Sequence, residues 1–169
     1  MTDSSNVSVI IVNFQSDAAL MSLFPSIPEN VELIIVNNSP DQNLEKLKKT
    51  KKFKEIKNPE NKGFGTACNI GVKEATKDLI FLLNPDTILH KDCIGNLINA
   101  VVEIPNASAF TPKILRKKNK EEFKRRSILL SRKKWLKKPP NGISEIPVMG
   151  GAAIFLKKEN YLKVGGFDE

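Results

Sequence analysis

Cysteine and histidine are scarce in this chain. Its 169 residues hold two cysteines and one histidine. Cys68 and Cys93 have no spacing suited to a metal, so they read as reduced, buried residues, which fits a cytoplasmic location. His90 directly follows the apolar run Thr87-Ile88-Leu89 and reads as a surface residue rather than a catalyst. Long apolar stretches are missing too. The longest, Val7 to Val12 and Leu79 to Leu83, are far too short to span a bilayer. The opening MTDSSN lacks the positive region of a secretory leader. No internal repeat is present.

What is there suits one globular domain with a real core: 40% hydrophobic and 27% charged residues. The net charge of +8 is concentrated. Residues 113–138 carry thirteen Lys and Arg against two Glu, so the remainder is mildly acidic and bears one strongly basic insert.

Val7 to Phe14 is continuously apolar and rich in β-branched residues, the pattern of a strand covered on both faces. Leu20, Leu23, Phe24 and Ile27 then fall at helical spacing, with Ser16 or Asp17 as cap. Val31 to Ser39 is a second strand, Asp41 to Lys52 a short helix, and Phe53 to Asn58 a third, edge strand. A helix opened by glycines follows, from Gly63. Asp78 to Asn84 is a fourth strand. Ile94, Leu97, Ile98 and Val101 stripe another helix, and Ser108 to Pro112 is a short fifth strand. This alternation predicts an α/β fold with a mostly parallel sheet flanked by helices. After residue 112 the pattern breaks, and regular structure resumes near Pro147.

In such sheets ligands bind off the carboxyl ends of the strands. Three strands end there in polar groups: Asn13, Asn37-Asn38 and Asn84-Pro85-Asp86. Asn, Pro and Asp also form turns, so Asp86 is either a turn residue or a carboxylate delivered to an ion or ligand. The glycine segment NKGFGTACNIGVKEA is neither a Walker loop nor a dinucleotide fingerprint. Ala67, Gly71 and Ala75 give its helix one small face that can approach the sheet closely, and its N-terminus suits an anion.

Taken in order, VSVIIVNF, LIIVNNS, NKGFGTACNIG, FLLNPDT, VMGGAAIFLKK and VGGFDE resemble the family 2 glycosyltransferases, and most of all their rhamnosyltransferase-like branch. The resemblance covers Val7 to Glu169, with the basic insert matching least. It implies a GT-A fold, a Rossmann-like sheet in one domain. Residues 1–112 would be the nucleotide-sugar-binding half, 113–145 the basic insert and 146–169 the acceptor-side half. It further implies an inverting, metal-dependent transfer from a dTDP- or UDP-linked donor to a glycan or lipid-linked acceptor, in cell-envelope polysaccharide biosynthesis. Val12, Asn13, Phe14 and Asn37 would meet the nucleotide base. Asn61 and Gly63 would lie against the nucleotide and its phosphates. Asn84 would reach the ribose, and Asp86 would hold Mg2+ or Mn2+. Gly150 and Gly151 would lie near donor sugar and acceptor, or form a β-bulge.

Two departures from the family pattern matter. Asn37 and Asn84 stand where the family usually has Asp, in its V-D-N-S and D-x-D motifs. The family's usual base, an Asp in a pair downstream of G-G-F-D-E, has no counterpart before Glu169, so the acceptor-side half reads as truncated. Asp168 would then be an acceptor contact or a substitute base, and the alternative is a nucleotide-sugar-binding module without transfer. The insert reads as a solvated face or as a peripheral contact with the inner membrane surface through 113–138. With only Phe123 and Trp135 interleaved, it is a poor nucleic-acid patch.

Overall fold

The computed structural model describes residues 3–116, 120–122 and 141–168. Most of the basic segment 113–138, with Phe123 and Trp135, lies outside the described residues, and so does the expected membrane contact.

Four parallel strands build the sheet: β1 (Val7–Asn13), β2 (Glu32–Asn37), β3 (Lys54–Lys57) and β4 (Leu79–Leu83). A further strand, β7 (Ala153–Lys157), adds antiparallel to β4, giving the order β3-β2-β1-β4-β7. All seven residues of β1 are buried, as its unbroken apolar run predicts. Successive side chains alternate between the two faces. Val9, Ile11, Leu33, Ile35, Phe81 and Leu83 pack on one side with α1 (Asp17–Leu23), α2 (Glu45–Lys48) and α4 (Cys93–Glu103). Ile10, Val12, Ile34, Val36, Ile80 and Leu82 pack on the other with α3 (Gly63–Glu74). Each fully buried Ile, Leu or Val contributes roughly 1.5–3 kcal/mol, so these two layers are the main source of stability.

The small face expected on α3 is used. A methyl group on Gly71 would sit 2.4 Å from Cγ2 of Ile10 and 3.1 Å from Cγ2 of Val36. The helix thus lies directly on the central strands. At the opposite end of the chain, α5 (Lys158–Lys163) follows β7 without a loop. It closes with the N–H of Gly165 on the carbonyl of Leu162 and the N–H of Gly166 on that of Tyr161, both at 3.1 Å. This Schellman arrangement needs a left-handed residue, and Gly165 supplies φ +85°.

Three expectations are corrected. Ser108 to Pro112 is not a strand: only an isolated bridge joins Phe110 to Phe155. The edge of β4 that a fifth parallel strand would take is filled by β7, so Phe110 meets only the outer side of β7. The helix expected over Asp41 to Lys52 forms only at Glu45–Lys48. A small antiparallel pair, β5 (Ile114–Arg116) with β6 (Lys120–Glu122), lies where the sequence pattern looked irregular.

Candidate functional site

The carboxyl ends of β1, β2 and β4 open into a cleft of about 650 Å³. Its β1 side is formed by Val12, Phe14, Gln15 and Ser16, and its β4 side by Asn84, Pro85 and Asp86. Asn38, Asn61, Gly63 and Phe64 complete the wall at the start of α3. The size and the mixture of aromatic and amide groups suit a small polar ligand with a ring system.

Asp86 is exposed at the mouth of this cleft. Among the described residues, nothing bonds its carboxylate. The turn reading of Asn84-Pro85-Asp86 also holds at the backbone: Thr87 Oγ1 donates to the carbonyl of Asn84 at 2.8 Å. On the other side, the N–H of Asn84 donates to the carbonyl of Ala152 at 2.9 Å. Turn and delivery are therefore compatible. The strand end is fixed from both sides and leaves the carboxylate free. Among the described residues no group of three or more His, Cys, Asp and Glu is gathered to hold a metal. Among the described residues, Asp86 is the one carboxylate in the cleft wall.

Opposite Asp86, the first turn of α3 is pinned by amides. Asn38 Nδ2 donates to the carbonyl of Gly63 at 3.0 Å and to Asn61 Oδ1 at 3.2 Å. Asn61 Oδ1 also accepts the N–H of Gly63 at 3.0 Å. Asn58 Nδ2 donates to Asn38 Oδ1 at 2.6 Å. Gly63 adopts φ +77°, which explains the glycine at this corner. Lys62 at the cap position makes no side-chain cap bond, so beyond the Gly63 N–H held by Asn61 the leading N–H groups of α3 are not claimed by a cap.

Asn13 and Asn37 are placed differently from the other expected donor residues. Both are buried and neither lines the cleft. They are paired in register at the ends of β1 and β2. Asn37 Oδ1 accepts from Asn13 Nδ2 and from the N–H of Ser39, each at 3.1 Å. Its Nδ2 donates to the carbonyl of Gln42 at 3.1 Å and to Glu55 Oε1 at 3.2 Å. An amide has two donor and two acceptor positions. All four are filled, so Asn37 has none left for a ligand. Asn13 serves the same network, donating also to Gln42 Oε1 at 2.9 Å and accepting the N–H of Ser16 at 3.1 Å.

Sequence reasoning missed Gln15, Ser16 and Phe64 as wall residues. Gln15 has φ +52°, unusual for a residue with a side chain, and its N–H is held by Ser39 Oγ at 2.9 Å. Nothing in its sequence context signals this. Phe64 did carry a signal, as a large aromatic between two glycines; it is 40% exposed. Asp168 is exposed and lies outside the cleft lining. Its carbonyl is 3.4 Å from where a Gly65 methyl would stand, which sets it against the first turn of α3. Methyl groups on Gly150 and Gly151 would meet open space, so no protein atom demands glycine there. Burial pushes the Cys68 thiol up to about 12 and raises that of Cys93, leaving both as inert packing groups.

Known proteins share this fold. The profile of glycosyl transferase family 2 matches residues 8–164. The low-salt glycan biosynthesis hexosyltransferase Agl10 of Haloferax volcanii is 27% identical over 114 residues, 65% of this chain and 37% of Agl10. The poly-beta-1,6-N-acetyl-D-glucosamine synthase of Staphylococcus aureus is 31% identical over 87 residues, 49% of this chain and 21% of the synthase. S. aureus TarS, solved in complex with UDP-GlcNAc, superposes with a TM-score of 0.68 at 16% identity, covering 94% of this chain and 47% of TarS. The mannosyltransferase PcManGT from Pyrobaculum calidifontis, solved with GDP-Man and Mn2+, gives 0.67 at 18%, covering 96% and 47%. The fold is thus GT-A, and the chain spans less than half the length of these proteins.

Proposed function

The chain belongs to glycosyl transferase family 2, and on that premise we propose that its cleft binds a nucleotide-diphospho-sugar and serves transfer of the sugar to a glycan or lipid-linked acceptor. The observation that carries this reading is the free Asp86 carboxylate, held by a fixed strand end in one cleft with the first residues of α3, Gly63 and Phe64. A diphosphate bound in this cleft would meet both. Helix N–H groups favour its negative charge. A hard cation is commonly bound by one or two carboxylates with substrate phosphates supplying further oxygens. Among the described residues the cleft wall offers Asp86 alone, which fits Mg2+ or Mn2+ brought in with the donor rather than a metal caged by protein. When bound, such a cation neutralises the charge that develops on the leaving diphosphate.

The chain's own residues orient the donor. Phe14 and Phe64 are half-exposed aromatic surfaces on which a base can stack. Gln15 and Ser16 line the same end and offer polar contacts to it. The buried amides of Asn13 and Asn37 keep the β1 and β2 ends in place from below. In an inverting transfer the acceptor hydroxyl attacks the anomeric carbon, the bond to the diphosphate breaks, and a base takes the hydroxyl proton. Asp168, beside the start of α3, is our candidate for contact with the acceptor. We read the donor as UDP-linked, following the UDP-GlcNAc of TarS; a dTDP-linked donor is the reading that the rhamnosyltransferase-like motif series supports. A second reading, donor binding without transfer, is favoured by one observation: Asp168 is not part of the cleft wall. The basic segment 113–138 is our candidate for contact with an anionic membrane surface. No helix among the described residues is long and apolar enough to cross a membrane.

Calorimetric titration of UDP and dTDP, with and without Mn2+, tests the proposal. The wild-type chain should bind UDP more tightly with Mn2+, and Asp86→Ala should lose that metal-dependent gain, at least tenfold in Kd. Equal metal dependence in the variant removes Asp86 from the site. Absence of nucleotide binding in the wild type removes the donor reading.

A further inference from the structure

The chain segment carrying Asp168 is fastened to α3 by one side chain. Asn69 lies on α3, two turns from the helix start. Its Oδ1 accepts the N–H of Phe167 at 2.9 Å, and its Nδ2 donates to the carbonyl of the same residue, also at 2.9 Å. Both backbone groups of Phe167 are thus held by one amide, as a neighbouring strand would hold them. Tyr161 donates its hydroxyl to the same Oδ1 at 2.6 Å. Burial pushes the Tyr161 phenol up to about 12, so this hydroxyl remains a donor at ordinary pH.

The surroundings are shaped for this contact. A methyl on Gly166 would lie 2.4 Å from Asn69 Oδ1, and Gly166 has φ +83°. A methyl on Gly65 would lie 3.1 Å from Cβ of Phe167. The Phe167 ring stands 6.0 Å from that of Phe64 and 5.9 Å from that of Tyr161. Phe64 in turn lines the cleft. One helix therefore carries a wall of the cleft on its first turn and the anchor of the 165–168 loop farther along.

Building on the donor reading above, we propose that Asn69 is a positioning residue. It fixes Phe167 through both backbone groups and so sets where Asp168 stands relative to a donor lying against Phe64. The Schellman end of α5 directs the chain toward α3, and Asn69 stops it at one register. Without the amide, Phe167 keeps only ring packing, and the exposed Asp168 is no longer held at one place.

Two readouts on the full chain test this. The first is amide hydrogen exchange in wild type, Asn69→Ala and Asn69→Asp, followed by NMR. In Asn69→Ala the Phe167 amide should exchange at least tenfold faster, while Cys68 and Val72 on α3 stay within twofold. Asn69→Asp keeps an oxygen acceptor for the Phe167 N–H but loses the donor to its carbonyl, and should fall between. Unchanged exchange at Phe167, or equal acceleration along α3, overturns the proposal. The second readout compares UDP affinity with UDP release from UDP-GlcNAc. Asn69→Ala should leave the UDP Kd within twofold and reduce release at least tenfold. A parallel loss of both, or unchanged release, overturns the positioning role. If the wild type binds no UDP, the donor reading fails, and if it binds UDP without turnover the transfer reading fails. In both cases exchange at Phe167 decides the role of Asn69.

Discussion

Replacing Gly71 by Ala sets two opposed effects against each other. In an isolated helix, Ala at an interior position is better than Gly by about 1 kcal/mol. Here the added methyl would stand 2.4 Å from Ile10 Cγ2 and 3.1 Å from Val36 Cγ2. Carbon atoms prefer a separation of roughly 3.5–4.0 Å, so the first contact is short by more than about 1 Å. Ile10 and Val36 lie in neighbouring central strands and are essentially without exposure. Neither has room to retreat, so α3 must lift. Overpacking of this kind costs about 1–3 kcal/mol. With two buried neighbours that cannot retreat the cost lies at the upper end, and subtracting the helix gain leaves a net loss of about 2 kcal/mol. For a domain of this size that lowers Tm by roughly 4–8 °C. Because Gly63 and Phe64 ride on the same helix, lifting should also weaken UDP binding measurably. Urea unfolding monitored by circular dichroism, together with UDP calorimetry, checks both effects. A double-mutant cycle with Ile10→Ala, which removes the clashing methyl, should show favourable coupling of about 1 kcal/mol or more. Unchanged or increased stability of Gly71→Ala would refute the reasoning, because it would mean that helix propensity outweighs the close approach.

Restoring the family's usual residue with Asn37→Asp should be destabilising, by about 2–3 kcal/mol, because the donors to Gln42 and Glu55 are lost inside a buried network. It also brings a second carboxylate against Glu55, so the deficit should shrink as pH falls and one of the pair is protonated; urea titrations at pH 5 and pH 8 that show equal deficits would contradict this. Burial raises the Glu32 carboxyl, but hydrogen bonds from Ser8 and from Thr76 outweigh it and hold the group below its usual range. Its contribution is therefore present above the unfolded value of about 4.3 and lost as pH falls through the lower folded value. Glu32→Gln should flatten the stability profile between about pH 5 and pH 3, and a profile identical to wild type would show that these bonds do not contribute.

Much of this architecture was legible because burial on both faces leaves an unmistakable apolar run. β1, β2 and β4 were readable for that reason, and α3 through its small residues. The polar end of β4 marks Asn84 and Asp86 as cleft residues, whereas Val12, Phe14, Asn61 and Gly63 follow from the resemblance to the family. What was not legible depends on contacts distant in sequence. No local pattern reveals that Asn37 is saturated by Asn13, Ser39, Gln42 and Glu55, because each partner is an ordinary polar residue with many other uses. The left-handed Gln15 has no sequence signature, unlike Gly63. Ser108 to Pro112 has strand-like composition, yet the edge of β4 is taken by β7, and Phe110 is left with a single bridge to Phe155. Asn69 has no local signature either, because its partner lies 98 positions away.

The antiparallel β7 also has a consequence for biosynthesis. Until Ala153 to Lys157 leaves the ribosome, β4 presents an unpaired hydrogen-bonding edge, and the Asn84 N–H lacks its carbonyl at Ala152. At about 5–20 residues per second, translation of the intervening chain takes several seconds. During that interval, while the basic segment is being translated, the nascent protein carries a hydrophobic strand open to foreign pairing. The loop that presents Asp86 is accordingly among the last parts to be secured. A stalled or nicked chain lacking β7 would be a sticky intermediate.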